Sequence, residues 1–216
     1  MNTITDLKSQ HGRRNRLNVF LDGQFAFSLG TEAAQQAGLE TGRVLSQAEV
    51  DALGAVDLRQ RCHDAALRLL SYRPRSHKEM SDRLSRRGFD LKVVAETLAR
   101  LEEVGLVDDA AFARMWKDNR QTFHPRSGRL VGIELRRKGV AAELASQMAA
   151  EVDDAATAYQ TALKKAGTLD TADLQTFRRR LGDYLRRRGF SYEVVNLTVN
   201  RLWQEKHPSP EGPRID

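Results

Sequence analysis

Three glycines frame this chain: Gly88, Gly139 and Gly189, separated by 51 and 50 residues. The stretches Met80-Ser-Asp-Arg-Leu-Ser-Arg-Arg-Gly-Phe, Val131-Gly-Ile-Glu-Leu-Arg-Arg-Lys-Gly-Val and Leu181-Gly-Asp-Tyr-Leu-Arg-Arg-Arg-Gly-Phe fall into register on them. Met80, Val131 and Leu181 stand eight residues before the glycine, and Leu84, Leu135 and Leu185 stand four before it. Phe89, Val140 and Phe190 follow it directly, and Leu101, Val152 and Leu202 come thirteen later. A fixed period of this length means stacked copies of one supersecondary unit.

Within each copy, apolar residues at i and i+4 predict a helix, and the glycine suits the left-handed position just past its end. A second amphipathic helix follows each glycine. A further helix precedes each copy, over about Leu58–Ser71, Asp109–Thr122 and Asp153–Ala166. The punctuation agrees: Tyr72-Arg73-Pro74-Arg75 breaks the chain, Ser76-His77-Lys78-Glu79 has the pattern of a capping box, and His124-Pro125-Arg126-Ser127-Gly128 separates two helices. The expected class is mainly α: three tandem three-helix repeats, over residues 58–107, 108–152 and 153–206, each burying its own small core. The tail 207–216, with Pro208, Pro210, Gly212 and Pro213, cannot continue a helix and is expected to be loose.

Residues 1–57 read differently. Leu17, Val19 and Leu21 alternate with other positions, Asp22-Gly23 supplies a turn, and Phe25, Phe27 and Leu29 resume the alternation, which predicts a small β-hairpin. Ile4–Lys8 is a candidate third strand. A short helix is expected over Thr31–Ala37, closed by Gly38. A second is expected from the Ser46-Gln47-Ala48-Glu49 capping box to about Ala55.

With 40% apolar and only 6% aromatic residues, the supply of core side chains suits several small bundles. Cys62 is the only cysteine, so an intrachain disulfide and a four-cysteine metal site are excluded. The N-terminus does not read as a secretory signal, and no apolar run is long enough to cross a bilayer. A cytoplasmic protein that does not engage membranes is expected. His11, His63, His77, His124 and His207 lack metal-ligand spacing, and phosphate-binding loops, dinucleotide fingerprints and nucleophile elbows are absent from the sequence. Neither catalysis nor a cofactor is expected.

The net charge of +6 favours polyanionic or acidic partners. Seventeen of the 35 basic residues cluster in the repeats: Arg73, Arg75, Lys78, Arg83, Arg86 and Arg87; Arg126, Arg129, Arg136, Arg137 and Lys138; Arg178, Arg179, Arg180, Arg186, Arg187 and Arg188. The candidates for contact with a partner or DNA are Arg73, Arg75, Arg86, Arg87, Arg126, Arg129, Arg136, Arg137, Lys138, Arg179, Arg186 and Arg187. A plainer reading stands beside this one. Cations just before a helix-ending glycine gain ~0.3–1 kcal/mol from the helix dipole. That reading covers Arg86/Arg87, Arg137/Lys138 and Arg187/Arg188 but not Arg73, Arg75, Arg126 or Arg129. If the repeats curve in one direction, their basic ends make a track for phosphates or acidic loops. Phe89, Phe190, Phe112 and Trp116 are expected in the core; Tyr72 stays open as a base-stacking residue.

Arg73-Pro-Arg-Ser76, Leu84-Ser-Arg-Arg-Gly-Phe89, Leu101-Glu-Glu-Val-Gly-Leu106, Asp108-Asp-Ala-Ala-Phe112-Ala-Arg-Met-Trp116 and Leu135-Arg-Arg-Lys-Gly-Val140 together resemble the RecX family of recombination regulators. The resemblance is close over roughly Leu58–Val152 and fainter over the third repeat. It implies tandem three-helix repeats and an N-terminal extension like that of some family members. It also implies a regulator that binds the RecA filament on DNA and restrains its ATPase, strand-exchange and coprotease activities. A monomer binding single- or double-stranded DNA without sequence preference is expected. The alternative is a helical DNA-binding module acting without RecA.

Overall fold

The computed structural model describes residues 2–10, 15–169 and 173–208; His11, Asp170 and the tail from residue 209 lie outside them. The chain divides into two compact units, Met1–Pro74 with Met80–Val107, and Arg75–Glu79 with Asp108–Asp216.

The first unit opens with an antiparallel sheet. Strands β1 (Asn2–Ser9), β2 (Arg16–Leu21), β3 (Gln24–Gly30) and β4 (Val44–Leu45) lie in the order β3-β2-β1-β4. Asp22 and Gly23 both take positive φ, +47° and +82°, as the tight β2–β3 hairpin requires. The expected third strand is present, and β4 is a fourth that sequence patterning did not predict. Bulges between Ile4 and Asp6 and between Val19 and Phe20 shift the register. The alternation therefore holds for Val19, Leu21, Phe27 and Leu29, which are buried, but not for Phe25, which is exposed.

Helix α1 (Thr31–Gln36) is followed by Gly38 at φ +59°, as expected. The next helix corrects the sequence reading. It starts at the Ser46 capping box, but α2 runs unbroken over Gln47–Leu70 instead of stopping near Ala55. Gly54 is only a weak helix breaker, at ~1 kcal/mol. One turn further on, buried Asp57 pairs with buried Arg16 of β2, tying the helix to the sheet. The end of α2 packs with α3 (His77–Ser85) and α4 (Leu91–Glu103) around Ala66, Met80, Leu84, Val94, Leu98 and Leu101.

The second unit holds α5 (Asp109–Phe123), α6 (Gly128–Arg137) and α7 (Ala142–Ala150), then α8 (Asp154–Ala166), α9 (Leu174–Arg186) and α10 (Tyr192–Lys206). Each trio closes on a separate core, one around Phe112, Val131, Leu135 and Met148, the other around Ala162, Phe177, Leu181, Leu185 and Val199. The residues eight and four before each framing glycine, Met80, Leu84, Val131, Leu135, Leu181 and Leu185, are all fully buried. Gly88, Gly139 and Gly189 have φ of +87°, +85° and +88°. Each glycine amide donates to a carbonyl three residues back, that of Ser85, Arg136 and Arg186 respectively. This is the left-handed helix ending the sequence predicts. Phe190 and Phe112 are core residues, Phe89 is half-buried against its core, and Trp116 is half-buried and stacked on Phe112 at 6.0 Å.

Candidate partner interface

Within the second unit, the segment Arg75–Glu79 and the two repeats are tied head to tail by one joint made twice. At the first, the Ser76 hydroxyl accepts from the Glu79 amide (3.2 Å) and donates to the Lys138 carbonyl (2.5 Å). The His77 amide donates to Asp109 at 2.8 Å. At the second, the Ser127 hydroxyl accepts from the Leu130 amide (3.2 Å), and the Ser127 amide donates to the Arg188 carbonyl (3.0 Å). The Gly128 amide donates to Asp154 at 2.7 Å. Both serines are fully buried. Next to them the chain passes so close that a Cβ on Gly139 would lie 2.2 Å from the Lys78 Cβ, and one on Gly189 2.6 Å from the Ser127 hydroxyl. Thus the start of α3 abuts the end of α6, and the start of α6 abuts the end of α9.

This head-to-tail order carries the cations with it. Arg129, Arg136 and Arg137 of α6 and its end recur fifty residues later as Arg179, Arg186 and Arg187, and all six are exposed. Arg129 and Arg136, like Arg179 and Arg186, stand seven residues apart and share one helix face. Lys78 holds the position of Arg129 in the first repeat. In the second unit, therefore, exposed cations recur at equivalent positions of α6 and α9, with Lys78 beside the first joint and Arg129 beside the second.

The twelve candidate residues separate into two groups. Arg75 is buried and held by Glu79 at 2.5 Å, and Arg73 donates to the Pro74 carbonyl at 3.0 Å. Arg126 lies 3.2 Å from Glu134, a carboxylate that also accepts from Arg120 (2.7 Å) and from the Trp116 indole N–H (2.9 Å). Lys138 sits over the Trp116 ring at 4.1 Å, and Arg186 pairs with Asp183 at 2.5 Å. Arg129, Arg136, Arg137, Arg179 and Arg187 of the second unit, and Arg86 and Arg87 of the first, are exposed and in no ion pair among the described residues. Tyr72 is 79% exposed. Sequence reasoning missed the joint, although its signal is present: Pro74-Arg75-Ser76 and Pro125-Arg126-Ser127 are 51 residues apart, like the first two glycines.

The perturbed ionisable groups belong to the scaffold. Backbone amides of Ala111 and Ala110 at the start of α5 hold the Asp108 carboxyl below the usual carboxylate range. Hydrogen bonds from Thr176 and then the Gln175 amide do the same for Asp173 at the start of α9. Burial pushes the Cys62 thiol up. No cluster of three metal-ligating side chains occurs among the described residues, and none of their helices is long and apolar enough to cross a membrane.

The architecture is thus a tandem array of three three-helix repeats behind an N-terminal antiparallel sheet. Family models match along the chain: the regulatory protein RecX N-terminal domain over residues 2–46, and the first, second and third RecX three-helix domains over 62–101, 108–148 and 151–198. The regulatory protein RecX of Amycolatopsis mediterranei is 37% identical over 140 residues, 63% of this chain and 80% of its own length. That of Chlorobium limicola is 34% identical over 139 residues, 64% of this chain and 87% of its own. That of Bacillus subtilis is 26% identical over 214 residues, 96% of this chain and 80% of its own. A crystal structure of regulatory protein RecX superposes with a TM-score of 0.67 at 21% identity, covering 93% of this chain and all of the other. RecX from Lactobacillus salivarius gives 0.61 at 21%, over 68% and 97%. The chain belongs to the RecX family of regulatory proteins.

Proposed function

We propose that this protein is a cytoplasmic, monomeric regulator that binds the RecA–DNA filament and restrains its ATPase, strand-exchange and coprotease activities. The observation that carries the reading is the register-repeated row of exposed cations, Arg129, Arg136 and Arg137 with Arg179 and Arg187, on helices joined head to tail. Cations spaced along stacked repeats match a partner whose negative charges also repeat, as DNA phosphates or acidic loops of a helical filament do. Contact with DNA through such a row carries no sequence preference, because phosphates position a protein without specifying bases.

The test is RecA's DNA-dependent ATPase with this protein titrated in. Inhibition well below one molecule per RecA subunit is expected. Simultaneous Arg129→Glu, Arg136→Glu and Arg137→Glu should weaken it while far-UV circular dichroism is unchanged. Lack of inhibition by the native protein, alongside tight binding to bare DNA, would favour a DNA-binding module working without RecA.

A further inference from the structure

The second joint opens onto a cleft of about 620 Å³ lined by residues of α5, α8 and α9 and of the loops at the joint. Its charge is one-sided: Arg126, Lys164, Arg187 and Arg188 line it, and among the described residues no carboxylate does. Arg126 shares the Glu134 carboxylate with Arg120. Lys164 and Arg187 are exposed and in no ion pair among the described residues. Arg188 sits over the Tyr184 ring, 3.7 Å from its centroid, a cation–π contact in the wall of the cleft. Thr161, only 5% exposed, also lines the cleft, and its hydroxyl has no hydrogen-bond partner among the described residues, a rare condition for a buried polar atom.

Phe123 completes the site. It is 67% exposed although it ends an amphipathic helix beside a well-formed core. It also occupies the repeat position of Tyr72: aromatic-x-Pro-Arg-Ser recurs 51 residues apart, and both aromatics are exposed. An aromatic side chain kept out of water twice by neither core is available for stacking.

We propose that this cleft seats one nucleotide of a single-stranded nucleic acid, with its phosphate on Lys164 and Arg187 and its base on Phe123. A volume of this size takes a nucleotide with room to spare. The combination of free cations, a flat aromatic and no acid favours a nucleic acid strand over an acidic peptide, which would leave Phe123 without a matching face. It favours a single strand over a duplex, whose bases are already stacked and cannot enter a cleft. The inference deepens the DNA-contacting part of the proposed function and rests on that part, but not on RecA.

The experiment measures fluorescence anisotropy of a labelled oligothymidylate and of a duplex of equal length, with RecA absent. Phe123→Ala should weaken single-strand binding by about 5- to 150-fold and duplex binding by less than twofold. Phe123→Tyr should restore it. The native protein should quench a 2-aminopurine placed in the strand, and Phe123→Ala should not. Lys164→Glu with Arg187→Glu should weaken binding and flatten its salt dependence. Unchanged single-strand affinity in Phe123→Ala, equal losses for strand and duplex, or displacement of the strand by polyglutamate with no dependence on Phe123 would each overturn the proposal. Running the RecA ATPase assay in parallel separates the two readings. Restraint of RecA with single-strand affinity indifferent to Phe123 sinks the cleft alone; Phe123-dependent strand binding with no restraint upholds the cleft and sinks the RecA reading.

Discussion

Gly88 and Gly139 provide a matched pair for testing the joint. Both have the same left-handed backbone, φ +87° and +85°, at the same position of the repeat. An alanine at either must pay the left-handed penalty of ~1–2 kcal/mol. Their surroundings differ. Nothing lies within 4 Å of a Cβ built on Gly88, whereas one on Gly139 would lie 2.2 Å from the Lys78 Cβ and 2.5 Å from its Cδ. Cδ can swing away; Cβ moves only with the backbone. Relief therefore requires pulling the start of α3 off the end of α6 by more than 1 Å, roughly the shortfall from ordinary contact, which disrupts the Ser76–Lys138 hydrogen bond. Overpacking of this kind costs ~1–3 kcal/mol and the bond another ~0.5–1.5 kcal/mol. Gly88→Ala should cost about 1 kcal/mol and Gly139→Ala about 3 kcal/mol or more in urea unfolding. Far-UV circular dichroism follows both, and fluorescence of Trp116 and Trp203, which lie in the second unit, isolates the second variant. Equal costs would refute the close approach at the joint.

Three further outcomes are expected. Gly128→Ala should destabilise by about 2 kcal/mol or more, because its Cβ would lie 2.1 Å from the Ala149 carbonyl oxygen, whereas Gly54→Ala, with open space in mid-helix, should stabilise by ~0.5–1 kcal/mol; thermal melts of both decide it. Asp57→Ala should cost ~3–5 kcal/mol in urea titration, because it leaves the buried Arg16 guanidinium without its partner. Asp108 and Asp173 have folded pKa values below their unfolded ones, so their stabilisation is present above the unfolded value of about 4 and is lost as pH falls through the folded one; Asp108→Asn, which can still cap, should flatten the acid limb of a Tm-versus-pH curve.

How much of this was legible depended on whether the cause was local. The helix endings at Gly88, Gly139 and Gly189 follow from the requirement for positive φ after a run of i, i+4 apolar residues, and all three formed as predicted. The hairpin at Asp22-Gly23 is legible for the same reason. Strand β4 was not, because two residues paired with Asn2 and Thr3 have no periodicity to read. The unbroken α2 was missed because what holds it past Gly54 is a partner 41 residues away, Arg16 on Asp57. The cations were legible as a set. Arg75 and Glu79 could have been paired from their i, i+4 spacing, but the Glu134 carboxylate that collects Arg120, Arg126 and Trp116 depends on how α5 packs on α6.

Helix physics also tells which cations carry weight as an interface. Arg86, Arg137 and Arg187 sit at helix C-termini, where the dipole favours positive charge whether or not a partner exists. Their recurrence therefore fits helix stability as well as binding, whereas that of Arg129 and Arg179, away from the C-terminal turn, fits binding alone. Lys78 and Arg129 are the second residues of α3 and α6, where the same dipole opposes a cation and an acidic residue would be favoured. At both turns a carboxylate is already in place, Asp109 on the His77 amide and Asp154 on the Gly128 amide, and it offsets the dipole's opposition to the cation beside it. Arg129, exposed, in no ion pair among the described residues and far from a helix C-terminus, is thus a cation that the C-terminal dipole does not account for, unlike the more conspicuous runs of arginine before the glycines.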